Sequence, residues 1–225
     1  MTTTISIDLE SAARLLKAGE CVAIPTETVY GLGANALDEN AVVKIFEAKN
    51  RPFFDPLIVH ISDSDQMNKF TSEIPPIAKK LADAFWPGPL TLLLPKSDAI
   101  PYLVTSGLDT VGLRVPNHPL ALSLLRSLPF PLAAPSANPF GYISPTTAQH
   151  VLAQLAGRIS MVLDGGPCGV GVESTIVQCT GDVVSIVRLG GLCVEDIESV
   201  AGKVNLQLNA SANPMAPGQL SSHYA

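Results

Sequence analysis

Leu9, Ala12, Ala13 and Leu16 recur at helical spacing, with Ser6 or Asp8 placed to cap the start and Gly19 to stop the chain, and this predicts a first helix. Cys21 to Ile24 is a short apolar run closed by Pro25, the pattern of a buried strand. A second helix is predicted from Asp38, with Ala41, Val42, Ile45 and Phe46 on its inner face and Lys49 near its end. Leu57 to Ile61 reads as the next strand. Pro75-Pro76 opens another helical pattern, Ile77, Ala78, Leu81, Ala82 and Phe85, because the fixed φ of proline suits a first turn. Leu90 to Leu94 follows as strand, and Ser144-Pro145 precedes a capped helix carrying Ala148, Val151, Leu152 and Leu155. Further strands are expected at Met161 to Leu163, Thr175 to Gln178 and Ser185 to Leu189.

From Thr110 to Val115 the apolar Val111, Leu113 and Val115 alternate with Thr110, Gly112 and Arg114, so those three share one strand face. That face is polar without the usual solvent-exposed filler. Helices and strands intermix without a strict βαβ rhythm and without an internal repeat, which predicts an α/β fold: a twisted mixed sheet covered by helices. Residues 205–225 contain no Lys, Arg, Asp or Glu and have no amphipathic period. The expected division is a folded domain over 1–204 and a linker over 205–225.

Hydrophobic residues make up 47% of the 225 and charged residues only 15%, so either the core is extensive or a partner surface is exposed. The net charge is −6 and Lys79-Lys80 is the lone adjacent basic pair, which argues against a dedicated nucleic-acid binder. Apolar stretches such as Leu90 to Leu94 fall far short of the ~18 residues that suggest a membrane span. The first residues have neither a basic cluster nor an apolar signal core, so a cytoplasmic location without membrane association is expected. Cys21, Cys168, Cys179 and Cys193 form no C-x-x-C pair, and buried free thiols are expected rather than a zinc ribbon or a disulfide framework.

Common catalytic signatures are missing. Gly165 to Ser174 is glycine-rich but lacks the G-K-[ST] of a P-loop and the last glycine of a dinucleotide fingerprint, and no G-x-S-x-G or H-E-x-x-H occurs. Polar residues instead gather at the ends of apolar strands, where open α/β sheets bind ligands. Pro25-Thr26-Glu27-Thr28-Val29-Tyr30-Gly31-Leu32-Gly33 packs hydroxyls and a carboxylate beside the first strand. Lys49-x-Arg51 sets a point charge beside a planar fork, a pair suited to polyphosphate or to plain solvation. Pro135-Ser136-Ala137-Asn138-Pro139 holds two hydrogen-bonding side chains between prolines, or is a simple turn.

Taken together these segments resemble the YrdC-like family of threonylcarbamoyl-AMP synthases. The likeness spans about residues 5–225 and rests on P-T-E-T-V-Y-G-L-G from Pro25, K-x-R at Lys49 and Arg51, W-P-G-P-L-T from Trp86, L-R-V-P from Leu113, S-x-N at Ser136 and Asn138, and E-S-T-I-V from Glu173, in that order. The resemblance implies an open twisted sheet of parallel and antiparallel strands around a cationic concave cavity. It implies that L-threonine, bicarbonate and ATP with magnesium give L-threonylcarbamoyl-AMP and pyrophosphate, no metal ligand coming from the protein. A threonylcarbamoyl transferase complex would then modify tRNA beside the anticodon, with weak or indirect tRNA contact by this chain. By the same resemblance Thr28, His60, Arg114, Ala134 and Ser174 form the threonine pocket. Arg51, Asp55, Thr110, Ser136, Asn138, Ser144 and Arg188 serve ATP, and Lys49 with Arg51 supplies the catalytic charge. Asp55 departs from the family, which places Asn there; a carboxylate beside triphosphate repels it unless magnesium bridges them. Ser221 to Ala225 resembles the linker of the family's long form, in which Tyr224 reaches the nucleotide and a second Rossmann-like domain follows. His60 read alone is a core histidine sooner than a ligand. The alternatives are a module that binds double-stranded RNA without turnover, and a carbamoyl-adenylate-forming domain of the kind found in hydrogenase-maturation proteins, which needs acylphosphatase and zinc-finger modules.

Overall fold

The computed structural model describes residues 2–208. In chain order the elements are β1 (Thr4–Ser6), α1 (Leu9–Lys17), β2 (Val22–Ile24), β3 (Gly31–Asn35), α2 (Glu39–Lys49), β4 (Ile58–His60), α3 (Met67–Phe70), α4 (Pro76–Phe85), β5 (Leu90–Pro95), α5 (Tyr102–Thr105), β6 (Thr110–Arg114), α6 (Pro119–Ser127), β7 (Leu132–Ala133), α7 (Ala148–Leu155), β8 (Met161–Leu163), β9 (Thr175–Thr180), β10 (Val183–Arg188), α8 (Val194–Ala201) and β11 (Asn205–Leu206). Asp8 caps α1 by accepting the N–H groups of Glu10 and Ser11, and Asp38 caps α2 through Asn40. At its other end α2 stops at Asn50, whose left-handed φ of 51° is one that asparagine tolerates.

The strands form one sheet in the order β1-β8-β2-β3-β7-β4-β6-β5-β9-β10-β11. β8 sits between β1 and β2, parallel to both. β6 lies parallel to β4, with His60 opposite Arg114, and antiparallel to β5. This is the mixed sheet expected from the sequence. One face carries the main core, in which Val42, Ile45 and Phe46 of α2 and Leu81 of α4 meet Val59, Leu92, Leu113 and Val177 of the sheet. A second cluster packs α1 and α6 against β2 and β8. On the opposite sheet face, by strand alternation, Ile58, Leu93, Ile176 and Val187 form a small apolar floor. Gly112 lies among them, where a Cβ would approach Thr91 Cγ2 to 3.2 Å.

Several elements depart from the sequence reading. Gly31–Asn35 is a strand despite its turn-like composition, held between β2 and β7, and Gly31 admits Ala134 Cβ to 3.4 Å from where its own Cβ would stand. Thr147 rather than Ser144 caps α7, accepting the N–H of His150. The stretch expected to be linker begins as β11, parallel to β10; residues from 209 onward, Tyr224 among them, lie outside the described residues. Cys21 and Cys179 are buried free thiols, whereas Cys168 is partly covered and Cys193 exposed. No helix of the described residues is long and apolar enough to cross a membrane.

Candidate active site

The ends of β4, β6 and β10, with the start of β9 and the turns after β2 and β7, line an open cleft with about 510 Å³ of empty space, solvent at its mouth included. Five residues expected at the amino-acid end, Thr28, His60, Arg114, Ala134 and Ser174, all line it. Arg114 closes β6, and its guanidinium is aimed by three acceptors. Nη2 donates to Glu27 Oε1 at 2.7 Å and to Thr28 Oγ1 at 2.9 Å, and Nε donates to the Gly88 carbonyl at 3.3 Å. Among the described residues Nη1 makes no hydrogen bond, which leaves one edge of the fork for a ligand carboxylate. Glu27 is pinned in turn, its Oε2 accepting the Asn117 N–H at 3.0 Å. The turn carrying Glu27 and Thr28 is braced twice, by Thr26 Oγ1 accepting the Val29 N–H and by the N–H groups of Val170 and Gly171 donating to the carbonyls of Glu27 and Thr28.

His60, beside Arg114 in the sheet, is 3% exposed. Burial first, and then the Arg114 charge, push its pKa down to about 3, so the ring is neutral at pH 7. Its Nδ1 has no hydrogen-bond partner among the described residues, an unmet need that a polar ligand group would satisfy. Ser174 Oγ lies 2.7 Å from Thr91 Oγ1 and accepts from Arg188 Nη2 at 3.0 Å.

At the other end, Arg51, Ser136 and Arg188 line the cleft. Arg51 Nη2 lies 2.8 Å from Asp55 Oδ2 and also donates to the Pro56 carbonyl at 2.8 Å, and both members of the ion pair are almost fully buried. Burial pushes the guanidinium down and the carboxyl up, and each partner opposes the other's shift. Ser144 donates to Glu173 Oε1, and Glu173 lines the cleft. Asn138 is spent on structure, its Nδ2 donating to the Tyr142 carbonyl.

Lys49 and Thr110, like Asp55, Asn138 and Ser144, do not line the cleft. Lys49 is only 1% exposed, and its Nζ donates to the carbonyls of Ser136 and Asn138 at 2.6 and 2.5 Å, so the ammonium sits beneath the cleft wall and stitches α2 to the loop that carries Ser136. Burial, followed by the Arg51 charge, holds its pKa well below the usual lysine range. Thr110 shares a strand face with Arg114 but opens β6 where Arg114 ends it, and it lines a separate depression with Pro95 and Gln178. The sequence reading also assigned no role to Glu27 or Glu173. The available signal is their acidity within otherwise uncharged, glycine- and hydroxyl-rich turns.

A family model, Sua5/YciO/YrdC, described as telomere recombination, matches residues 14–190. The chain belongs to the Sua5/YciO/YrdC family. It is 51% identical over 221 residues to the threonylcarbamoyl-AMP synthase of Bacillus subtilis (strain 168), an overlap of 96% of this chain and 64% of that relative. With the threonylcarbamoyl-AMP synthase of Pyrococcus abyssi (strain GE5 / Orsay) it shares 49% identity over 218 residues, or 95% of this chain and 64% of the relative. The crystal structure of Pyrococcus abyssi Sua5 complexed with L-threonine superposes with a TM-score of 0.94 at 46% identity, covering all of this chain and 68% of that one. The chain therefore spans 64% of the length of these two curated family members.

Proposed function

We propose that this chain carries the site at which L-threonine, bicarbonate and ATP become L-threonylcarbamoyl-AMP and pyrophosphate. The observation that carries the reading is the pairing of ends in one cleft: the free edge of Arg114 beside neutral His60, and the Arg51 and Arg188 cations beyond them. In this reading the amino-acid carboxylate takes the open edge of Arg114, and Thr28, Ser174 and the Ala134 backbone surround the rest. The threonine ammonium first gives a proton to solvent; the amine then attacks the carbon of bicarbonate, whose hydroxyl leaves as water with one amine proton, or the carbon of carbon dioxide, that proton then passing to solvent. A carbamate oxygen then attacks the ATP α-phosphorus in line, and the bond to the β-phosphate oxygen breaks to release pyrophosphate. Neither step needs a dedicated base in the cleft; charge and positioning from Arg51, Ser136 and Arg188 do the work. Lys49 contributes through the loop it holds. Magnesium would travel on the triphosphate, because it keeps several waters and binds substrate phosphates rather than dedicated all-protein cages.

The product would supply the threonylcarbamoyl group to a separate transferase that acts on tRNA. The net charge of −6 fits an indirect tRNA contact. The decisive experiment is pyrophosphate release from ATP with bicarbonate and each standard amino acid in turn. Release that requires both bicarbonate and threonine is the expected result, and release indifferent to either overturns the reading.

A further inference from the structure

The Arg114 edge of the cleft is charge-balanced before any ligand arrives. Its guanidinium and the Glu27 carboxylate are 2.7 Å apart, with side-chain exposures of 5% and 13%, so solvent screens the pair weakly. Next to them His60 is uncharged at pH 7. Of the remaining cleft-lining charges, Arg51 is paired with Asp55, while Arg188, which donates to Ser174, and Glu173 bring one charge of each sign, so they leave the balance unchanged. A carboxylate that arrives alone on Arg114 would give this end a net negative charge directly beside the fixed Glu27. A carboxylate that brings its own ammonium leaves the balance unchanged.

We propose that Glu27 is the residue that makes this end of the cleft select a zwitterion over an anion of the same shape. The inference rests on the functional reading above and adds a determinant to it. Glu27 acts through Arg114 and is a positioning and specificity residue rather than a catalytic one. Both of its oxygens are already engaged, one by Arg114 and one by the Asn117 N–H, so its charge is held at a fixed distance from whatever Arg114 binds.

The test compares L-threonine with 2,3-dihydroxybutanoate of matching stereochemistry, the analogue in which a hydroxyl replaces the ammonium. Their dissociation constants are measured by calorimetry on the 225-residue chain and on Glu27→Gln and Glu27→Asp. The wild type is expected to prefer threonine by about tenfold or more, a step of about 1.4 kcal/mol. Glu27→Gln should lose about tenfold of that preference, chiefly by tighter binding of the hydroxy acid, because Arg114 then meets an anion with its full charge. Glu27→Asp keeps the charge but shortens the reach, so both ligands should weaken while the ratio survives.

If Glu27→Gln merely loosened the turn, both ligands would weaken by one factor, and an unchanged ratio overturns the proposal. A wild-type ratio below about twofold overturns it as well, even where a variant fails to fold. Failure of the functional reading gives a different result: no binding of threonine to the wild type and no threonine-dependent pyrophosphate.

Discussion

Replacing Lys49 with methionine separates a structural lysine from a phosphate-binding one. The methionine side chain fills nearly the same volume but deletes the two bonds from Nζ to the carbonyls of Ser136 and Asn138. A hydrogen bond from a charged donor is worth about 1.5–3 kcal/mol, and removing the burial cost of the ammonium offsets part of the sum. The expected net loss is about 3 kcal/mol, which in a domain of this size lowers the melting temperature by about 6–12 °C. Calorimetric melts and urea midpoints measure it directly. Pyrophosphate release assayed well below the melt should fall less than in Arg51→Ala, because Ser136 is loosened rather than removed. A Lys49→Met protein that melts within about 2 °C of wild type yet no longer binds ATP refutes this reasoning and returns Lys49 to the phosphates.

Arg51→Ala is expected to abolish adenylate formation and also to destabilise by about 3–5 kcal/mol, because it strands the buried Asp55 carboxylate; adding Asp55→Asn should restore the melting temperature but not the turnover. His60 takes up its proton near pH 6.5 when unfolded and near pH 3 when folded, so the unfolded chain binds more protons between those values and stability falls as pH falls through that window. Urea midpoints should decline less over that range in His60→Gln, and parallel curves for the two proteins would show that the ring is not buried neutral. Serine should replace threonine with a loss of about 10–200-fold in kcat/KM, the value of one methyl group in a fitted pocket, and equal kinetics would misplace the pocket.

Much of the site is legible in the sequence because its residues close apolar strands. The alternation in β6 puts Arg114 on the cleft face, and the run through Leu57 to Ile61 carries His60 beside it. Distance along a strand is less visible: at about 3.3 Å per residue, Thr110 starts about 13 Å from Arg114 on the same face. The destination of Lys49 depends on where α2 ends. Asn50 turns the chain in the left-handed region, which leaves Lys49 beneath the Ser136 loop and sends Arg51 to Asp55 and Pro56. No local propensity encodes that. β3 is hidden for a related reason, since Gly31 and Gly33 read as turn until β2 and β7 are present to pair with them. By contrast α6 had an available signal, Pro119 at its first turn followed by Leu120 and Leu124.

The position of β8 has a consequence for the order in which the fold can assemble. β1 and β2 are neighbours in the chain, yet the slot between them is filled by Met161–Leu163, parallel to both. A growing polypeptide therefore holds two short strands that cannot complete their hydrogen bonding until residues 161–163 have been made. The parallel contacts that close the slot join residues 4–6 to 161–163, a separation that makes this edge of the sheet slow to form and open to foreign strands while it waits. The turn bearing Glu27 and Thr28 follows β2 directly and is latched by Val170 and Gly171 just beyond β8, so the amino-acid end of the cleft takes shape in the same late step that seals the sheet.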